Sequence, residues 1–490
     1  MRRLAPHLWI CGLVAGIGLS GCGGAASSLP GGGAPPVQQK MPSSRSSPIQ
    51  HVVFIVQENR SFDNLFADFP GADGATRGRM KVKSHGTYHD IWVTLKAHAL
   101  LTGFDIQHCH KAFLTDYDNG KMDGFGQVSK GACGTQGPPV GKAVYQYVEP
   151  SQIAPYWAIA NQWGLADHMF QNQGSGSFIA HQDLIRGGTQ INNKYSLVDN
   201  PNIMPWGCDS GPNSKTSLIM LKGKYLPYQQ KGPFPCTNKF PSSSYYEVIS
   251  DLLDSKSVSW HYYSPCFKGW NKNNCDDGCP ALCSGGILNA FDVIDRVRYG
   301  AEWGTNVSMP ETNIFNDIAS NNLAAVSWVI PSDANSDHPG EGCGCDDGPS
   351  WVASIVNAIG QTSYWNSSVI VVLWDDWGGF YDHVAPDETP GWGGNGFRLP
   401  MLVLSPYMKI GAGSNGGYVS STPYTYGSLL RYVEDNWNLG RLGTSDSTAN
   451  SISDMLDYTQ KQRGFTKIPS SRSIEYFERH AGTPQNGDPE

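Results

Sequence analysis

An α/β fold with a mostly parallel central sheet flanked by helices, elaborated by long loop or cap insertions, is predicted by three features of the sequence. Four short runs, His51 to Val56, Ala324 to Ile330, Val369 to Leu373 and Met401 to Leu404, are rich in branched apolar residues and do not alternate. That is the pattern of strands buried on both faces of a parallel sheet. Helix-period segments lie between the runs, and strands alternating with helices make a layered α/β sandwich. Polar clusters follow three of the runs directly: Glu58-Asn59, Asp333 with His338, and Asp375-Asp376. They therefore lie beyond strand carboxyl ends, where open α/β sheets bind ligands.

From the N-terminus, Arg2 and Arg3 precede an apolar run from Leu8 to Leu19 and then Leu19-Ser20-Gly21-Cys22. Residues 1–22 read as a secretory signal peptide of lipoprotein type, with Cys22 as the lipidated residue; a plain signal peptide with an incidental cysteine is the alternative. The run is too short and glycine-rich for a spanning helix. Residues 23–48 are rich in Gly, Ser and Pro, a composition that makes a flexible tether and no core. The expectation is an exported, membrane-anchored lipoprotein facing the periplasm or the cell exterior, with residues 49–480 as a single domain.

Within that domain, Ser244 to Leu253 has Ser244 and Glu247 at capping-box spacing and one apolar face, and Val352 to Ile359 is a second helix, stopped by Gly360. The Gly/Asn/Trp-rich stretches 196–240 and 264–312 read as ordered loops or a small cap. Two of the twelve cysteines fall in the leader, and the even remainder in an exported chain predicts disulfides. The spacing of Cys275, Cys279 and Cys283 also permits a zinc knot, but no paired C-x-x-C accompanies it and an oxidising compartment favours disulfides. With a net charge of −8 and no Lys/Arg run, nothing supports nucleic-acid binding by phosphate neutralisation.

The chemistry is carried by four segments. In Gln57-Glu58-Asn59-Arg60 a carboxylate and an amide oxygen stand side by side and can both reach a hard divalent cation, although Glu58 with Arg60 can equally be a solvated pair. Asp375-Asp376 follows a buried strand, and two adjacent carboxylates in a crevice repel unless a cation neutralises them. Asp382 and His383 further on suit a structural hydrogen-bonded pair.

In Gln173-Gly174-Ser175-Gly176-Ser177-Phe178-Ile179-Ala180-His181 small residues precede a helical pattern. Ser177 thus stands at a helix start, where free amides and the dipole attract phosphate, and His181 lies one turn on along the same face. A mere N-cap is the alternative, and G-x-S-x-G is not matched, which disfavours a nucleophile elbow. His108 and His338 complete the set; a lone histidine is usually structural, but phosphoryl transfer needs donors on the equatorial oxygens and a general acid for the leaving group.

Glu58-Asn59-Arg60-Ser61-Phe62-Asp63, Gly120-Lys121-Met122-Asp123-Gly124-Phe125, Ser327-Trp328 through His338-Pro339, and Asp375-Asp376 through Gly378-Gly379-Phe380-Tyr381-Asp382-His383-Val384 stand in consistent order from about 50 to 440. Together they resemble the bacterial phosphoesterase family that joins phospholipases C with an acid phosphatase branch, within the alkaline-phosphatase-like superfamily. The resemblance implies an alkaline-phosphatase-like sandwich and one divalent metal ion of unspecified identity, ligated by Glu58, Asn59, Asp375, Asp376 and the oxygen of Ser177. It also implies that Ser177 is the nucleophile, and that His108, His338 and His181 contact phosphate or protonate the leaving group.

The paired Asp375-Asp376 resembles the acid phosphatase branch, since phospholipase C relatives commonly have Asp-Glu there, and the modest length points the same way. Two departures stand out: Ile179-Ala180 precede His181 where the family usually has Pro-Asn, and Thr425-Tyr426-Gly427-Ser428 replaces a frequent Asp-His-Thr-Ser. The expectation is a metal-dependent hydrolase of phosphate esters, a small monoester or a phospholipid, that works through a phosphoseryl intermediate and is most like an acid phosphatase. The alternatives are a phospholipase C acting on phospholipid headgroups, and a non-catalytic surface binding protein on a degenerate fold of this kind.

Overall fold

The computed structural model describes residues 47–202, 206–209, 213–221, 223–231, 236, 246–265, 288–340, 347–386, 394–413 and 415–481. The expected leader with Cys22 and nearly all of the expected tether lie outside them, as do Ser244 and Cys266, Cys275, Cys279, Cys283, Cys343 and Cys345.

Strands are numbered in chain order. The first group is β1 (His51–Gln57), β2 (Arg77–Ser84), β3 (Thr87–Thr94), β4 (Lys96–His98), β5 (Gln146–Val148) and β6 (Gly164–Asn172). Then follow β7 (Tyr195–Val198), β8 (Lys215–Met220), β9 (Tyr225–Lys231), β10 (Trp260–Tyr263) and β11 (Val307–Ser308). The last are β12 (Val326–Val329), β13 (Ser368–Trp374), β14 (Asn395–Leu404) and β15 (Tyr418–Ser420).

Eight of these form the central sheet in the order β11-β10-β12-β1-β13-β14-β6-β15. Every pairing is parallel except the two made by β14, which runs against its neighbours β13 and β6. The sheet is therefore mostly parallel, as expected; helix Ala154–Gln162 packs on β6, β14 and β15, and helix Gly348–Gly360 packs against that helix.

The runs at 51, 324 and 369 are β1, β12 and β13, each within two residues of its predicted start, and all three are buried. The run at Met401 to Leu404 needs correction: it is the second half of a longer, antiparallel strand. A strand covered on both faces has no polar side to present, so its composition is the same whichever way it runs. The helix expected at Ser244 to Leu253 is Ile249–Ser255, opened at Val248, whose N–H donates to the Asp251 carboxylate at 2.9 Å. The helix expected at Val352 to Ile359 begins four residues earlier, at Gly348-Pro349, and includes Gly360 as its last residue. Part of the stretch expected as loops or cap forms a separate antiparallel sheet, β7-β8-β9.

Two disulfides are formed among the described residues, Cys109–Cys133 and Cys208–Cys236. No helix among those residues is long and apolar enough to cross a membrane.

A buried ionic network ties the loop after β13 to β14. Arg398 donates to Asp382 at 3.1 Å and to Asp63 at 3.2 Å, and caps the carbonyls of Asp73 and Asp167 at 2.6 and 2.9 Å. His383 Nδ1 lies 2.7 Å from Asp63, so Asp382 and His383 stand in a structural cluster. Burial drives the Asp382 carboxyl above the usual range, and only Arg398 and His383 among its charged neighbours pull it back. Arg398→Met leaves two buried carboxylates with only His383 beside them and is expected to destabilise the fold by about 3–5 kcal/mol, measured as a shift in a urea denaturation midpoint. A change below about 1 kcal/mol would mean the network is not holding this loop.

Candidate active site

The carboxyl ends of β1, β12, β13 and β6 lie at one end of the sheet, so the loops that follow them converge. After β1 come Glu58 and Asn59, both buried. Asn59 adopts a left-handed φ of 59°, which asparagine tolerates better than most residues, and its N–H donates to Asp375 Oδ1 at 2.8 Å. The Asp376 N–H donates to the same Asp375 oxygen at 2.7 Å, and the Gly378 N–H to Asp376 Oδ1 at 2.7 Å. Residue 378 must be glycine: at its φ of +58° a Cβ would stand 2.2 Å from the Asn59 carbonyl oxygen.

β6 delivers the loop Gln173–Gly176 and then the helix Ser177–Arg186, with Ser177 as its first residue and Gly176 as N-cap. Ser177 Oγ donates to Asp376 Oδ2 at 3.1 Å and lies 3.3 Å from Asn59 Oδ1. One turn further, His181 Nε2 is 3.2 Å from Glu58 Oε1 and 3.9 Å from Asp375 Oδ2. Glu58, His181 and Asp375 each offer a ligand atom within 4.8 Å of the other two, and all three are buried.

His108 Nε2 lies 3.9 Å from Asp376 Oδ2, and the His338 ring stands beside His108 with centroids 6.3 Å apart. His108 Nδ1 donates to the Ile106 carbonyl at 2.5 Å, which leaves Nε2 to accept from Asn59 Nδ2 at 3.1 Å. Asp105 lies behind it, 3.7 Å from Nδ1. The next-door Asp337 is structural: Tyr156 and Trp374 donate to it at 2.9 Å each, and burial pushes its carboxyl up to about 6 against the pull of Arg60.

The residues predicted at 58, 59, 177, 375 and 376 thus meet in one place, with His108 and His338 beside them. His181 stands among the carboxylates rather than with the other two histidines. Sequence reasoning missed Tyr426: its hydroxyl donates to the Trp374 carbonyl at 3.1 Å and to the Asp375 carbonyl, clamping the end of β13. The signal was the departure Thr425-Tyr426, read only as a missing motif.

Burial drives the Asp375 carboxyl well above the carboxylate range, the charge of Glu58 adds to this, and His181 opposes it. Three buried carboxylates, an amide oxygen, a hydroxyl and an imidazole make a donor set that fits a divalent cation. The crevice adjoins a cavity of about 670 Å³ lined by His108, Gly176, Trp206, Tyr225 and Tyr228.

Residues 49–440 match the Phosphoesterase family. Non-hemolytic phospholipase C of Burkholderia pseudomallei is 24% identical over 438 residues, 80% of this chain and 55% of that protein. Phospholipase C A of Mycobacterium tuberculosis is 24% identical over 425 residues, 79% of this chain and 72% of that one. The chain thus spans about half the length of the first relative. A protein in the alkaline phosphatase superfamily from Vibrio parahaemolyticus aligns with 84% of this chain and 73% of its own, at 9% identity and a TM-score of 0.33. With the match running through every strand end that builds the crevice, from Glu58 to Asp376, the chain belongs to the Phosphoesterase family.

Proposed function

We propose that this chain is a metal-dependent hydrolase that cleaves phosphate esters through a phosphoseryl intermediate on Ser177. The observation that carries the reading is the Ser177 hydroxyl at a helix N-terminus, 3.1 Å from Asp376 and 3.3 Å from Asn59. Glu58, Asn59, Asp375, Asp376 and Ser177 would hold the cation, with His181 joining the set. When bound, a divalent cation supplies Lewis-acid charge that favours a deprotonated serine oxygen.

The free amides of the helix's first turn attract the phosphate oxygens. Ser177 Oγ then bonds to phosphorus as the ester P–O bond breaks. His338 or His108 protonates the leaving oxygen; the Asn59 amide donates to His108 Nε2 and orients that ring, which favours His338 for the role. Water attacks the phosphoserine, giving its proton to the same imidazole, and Ser177 is restored.

The adjacent Asp375-Asp376 supports a monoesterase of acid phosphatase type. Phospholipase C action is the second reading, supported by what the two bacterial relatives are and by the aromatic cavity beside His108, which has room for a bulky substituent. Export and a lipid anchor on Cys22 belong to the same proposal and rest on the leader sequence alone.

Acid-quenched turnover with para-nitrophenyl phosphate, followed by peptide mass analysis, is expected to place a phosphoryl group on Ser177. A phosphoryl group on another residue, or phosphate release with none trapped on any, speaks against this mechanism. Parallel assays on phosphatidylcholine decide between monoester and phospholipid, and ligand binding without any phosphate release would favour the binding-protein alternative.

A further inference from the structure

Among the described residues, strands β2 and β3 pair with each other alone, as an antiparallel hairpin outside the central sheet. Side chains alternate along a strand, so Arg77, Arg79, Lys81 and Lys83 share one face of β2. The register sets Arg79 opposite Trp92 and Lys83 opposite Tyr88, which brings the two aromatics onto the same face. The other face is packed against the body: Met80 and Val93 are buried, and a Cβ on Gly78 would strike the Tyr381 ring at 2.4 Å.

The outward face is chemically unusual for this protein. Trp92 is 63% exposed and Tyr88 54%. Residues 77–94 hold four Lys/Arg and a single acidic residue, Asp90, in a chain whose net charge is −8. Lys81 is drawn to Asp118 and Asp123, and Arg79 to Asp90. Arg77 and Lys83 have no acidic partner among the described residues; each lies 5.5 Å from the ring of an exposed aromatic, Trp92 and Tyr88 respectively.

Exposed Trp and Tyr settle at the headgroup level of a bilayer, where the ring is half in hydrocarbon and its polar atom in water. Lys and Arg beside them keep their charge among anionic headgroups while their stems lie on apolar surface. We propose that the outer face of this hairpin docks on an anionic phospholipid bilayer. A nucleic acid is a poorer fit, because a long polyanion extends past four cations onto a protein of net negative charge. The hairpin is also fastened to the catalytic end: the Lys81 N–H donates to the Asp123 carbonyl at 2.7 Å, and Gly78 rests on Tyr381. Tyr381 follows Trp377, whose ring meets His108 edge-on at 6.2 Å. Docking there holds that end of the sheet at the lipid surface.

The test is co-sedimentation of the full chain with vesicles of phosphatidylcholine alone, or with phosphatidylglycerol added, in a Ser177→Ala background so that no lipid is consumed. Binding is read without turnover, so it stands or falls separately from the proposed chemistry, and every variant shares one N-terminus. The expected result is preference for anionic vesicles. Each surface cation contributes about fivefold to partitioning, so Arg77→Ala with Lys83→Ala is expected to reduce it roughly tenfold or more. Trp92→Ala reduces it further, and the charge-conserving Arg77→Lys with Lys83→Arg retains it. The same substitutions placed on the otherwise unaltered chain are expected to leave hydrolysis of a soluble ester unchanged, which confirms folding. Equal binding to neutral vesicles, undiminished binding by the double alanine variant, or RNA displacing the vesicles from the hairpin would overturn the proposal.

Discussion

Ser177→Ala is expected to lower turnover of para-nitrophenyl phosphate by roughly 10³-fold or more, about 4 kcal/mol of barrier, while the protein stays folded. The second half of that expectation follows from local geometry. Ser177 is the first residue of its helix, and the cap position belongs to Gly176, so losing the hydroxyl costs no cap. What disappears is the hydroxyl's hydrogen bonding to the carboxylate and amide around it, Asp376 and Asn59 among them, within about 1–2 kcal/mol of stability. A large kinetic loss beside a small stability change is the signature of a reacting group, which separates it from a structural serine. Kinetics on a soluble monoester and a thermal melt of the same sample provide both readings. Retention of more than a few per cent of wild-type rate would remove Ser177 from the mechanism.

Asp375→Asn with Asp376→Asn is expected to abolish both bound divalent metal and turnover, and to change how the fold responds to a chelator. The isosteric amides keep an oxygen for the amides of Asn59, Asp376 and Gly378, so the loop retains its shape. In the native chain, burial and the neighbouring charge of Glu58 make an ionised Asp375 costly, and cation binding to the folded state offsets that cost. Wild-type protein is therefore expected to melt at lower temperature after chelation, whereas the double variant melts at the same temperature with or without chelator. Elemental analysis supplies the metal content. A double variant that keeps stoichiometric metal, or a wild type whose melting ignores the chelator, contradicts the assigned ligand set.

Much of this arrangement was legible in local sequence, and the exceptions have physical causes. β1, β12 and β13 announce themselves because a strand covered on both faces needs an unbroken apolar run. β6, which delivers Ser177, carries Asp167, His168, Gln171 and Asn172. Its polar side chains are accommodated by partners far along the chain, for instance Asn172 by Ser445 at 2.8 Å, and no local pattern encodes them. β10, β11 and β15 are four residues or fewer, too short for a period to register. The Arg/Lys alternation of β2 is plainly visible in the sequence, but a search for a continuous basic run passes over it, because every second residue faces the protein.

The sequence by itself determined which side chains stand beyond strand carboxyl ends, since alternation, buried runs and helix starts are properties of neighbours in the chain. The tertiary structure alone decided how positions 58, 59, 177, 375 and 376 come together, that His181 joins the carboxylates, and that Tyr426 braces the strand end beneath them. The cause is the sheet order, in which β14 slots between β13 and β6 in the reverse direction. That order is chosen by packing among segments hundreds of residues apart, and no stretch of chain contains it.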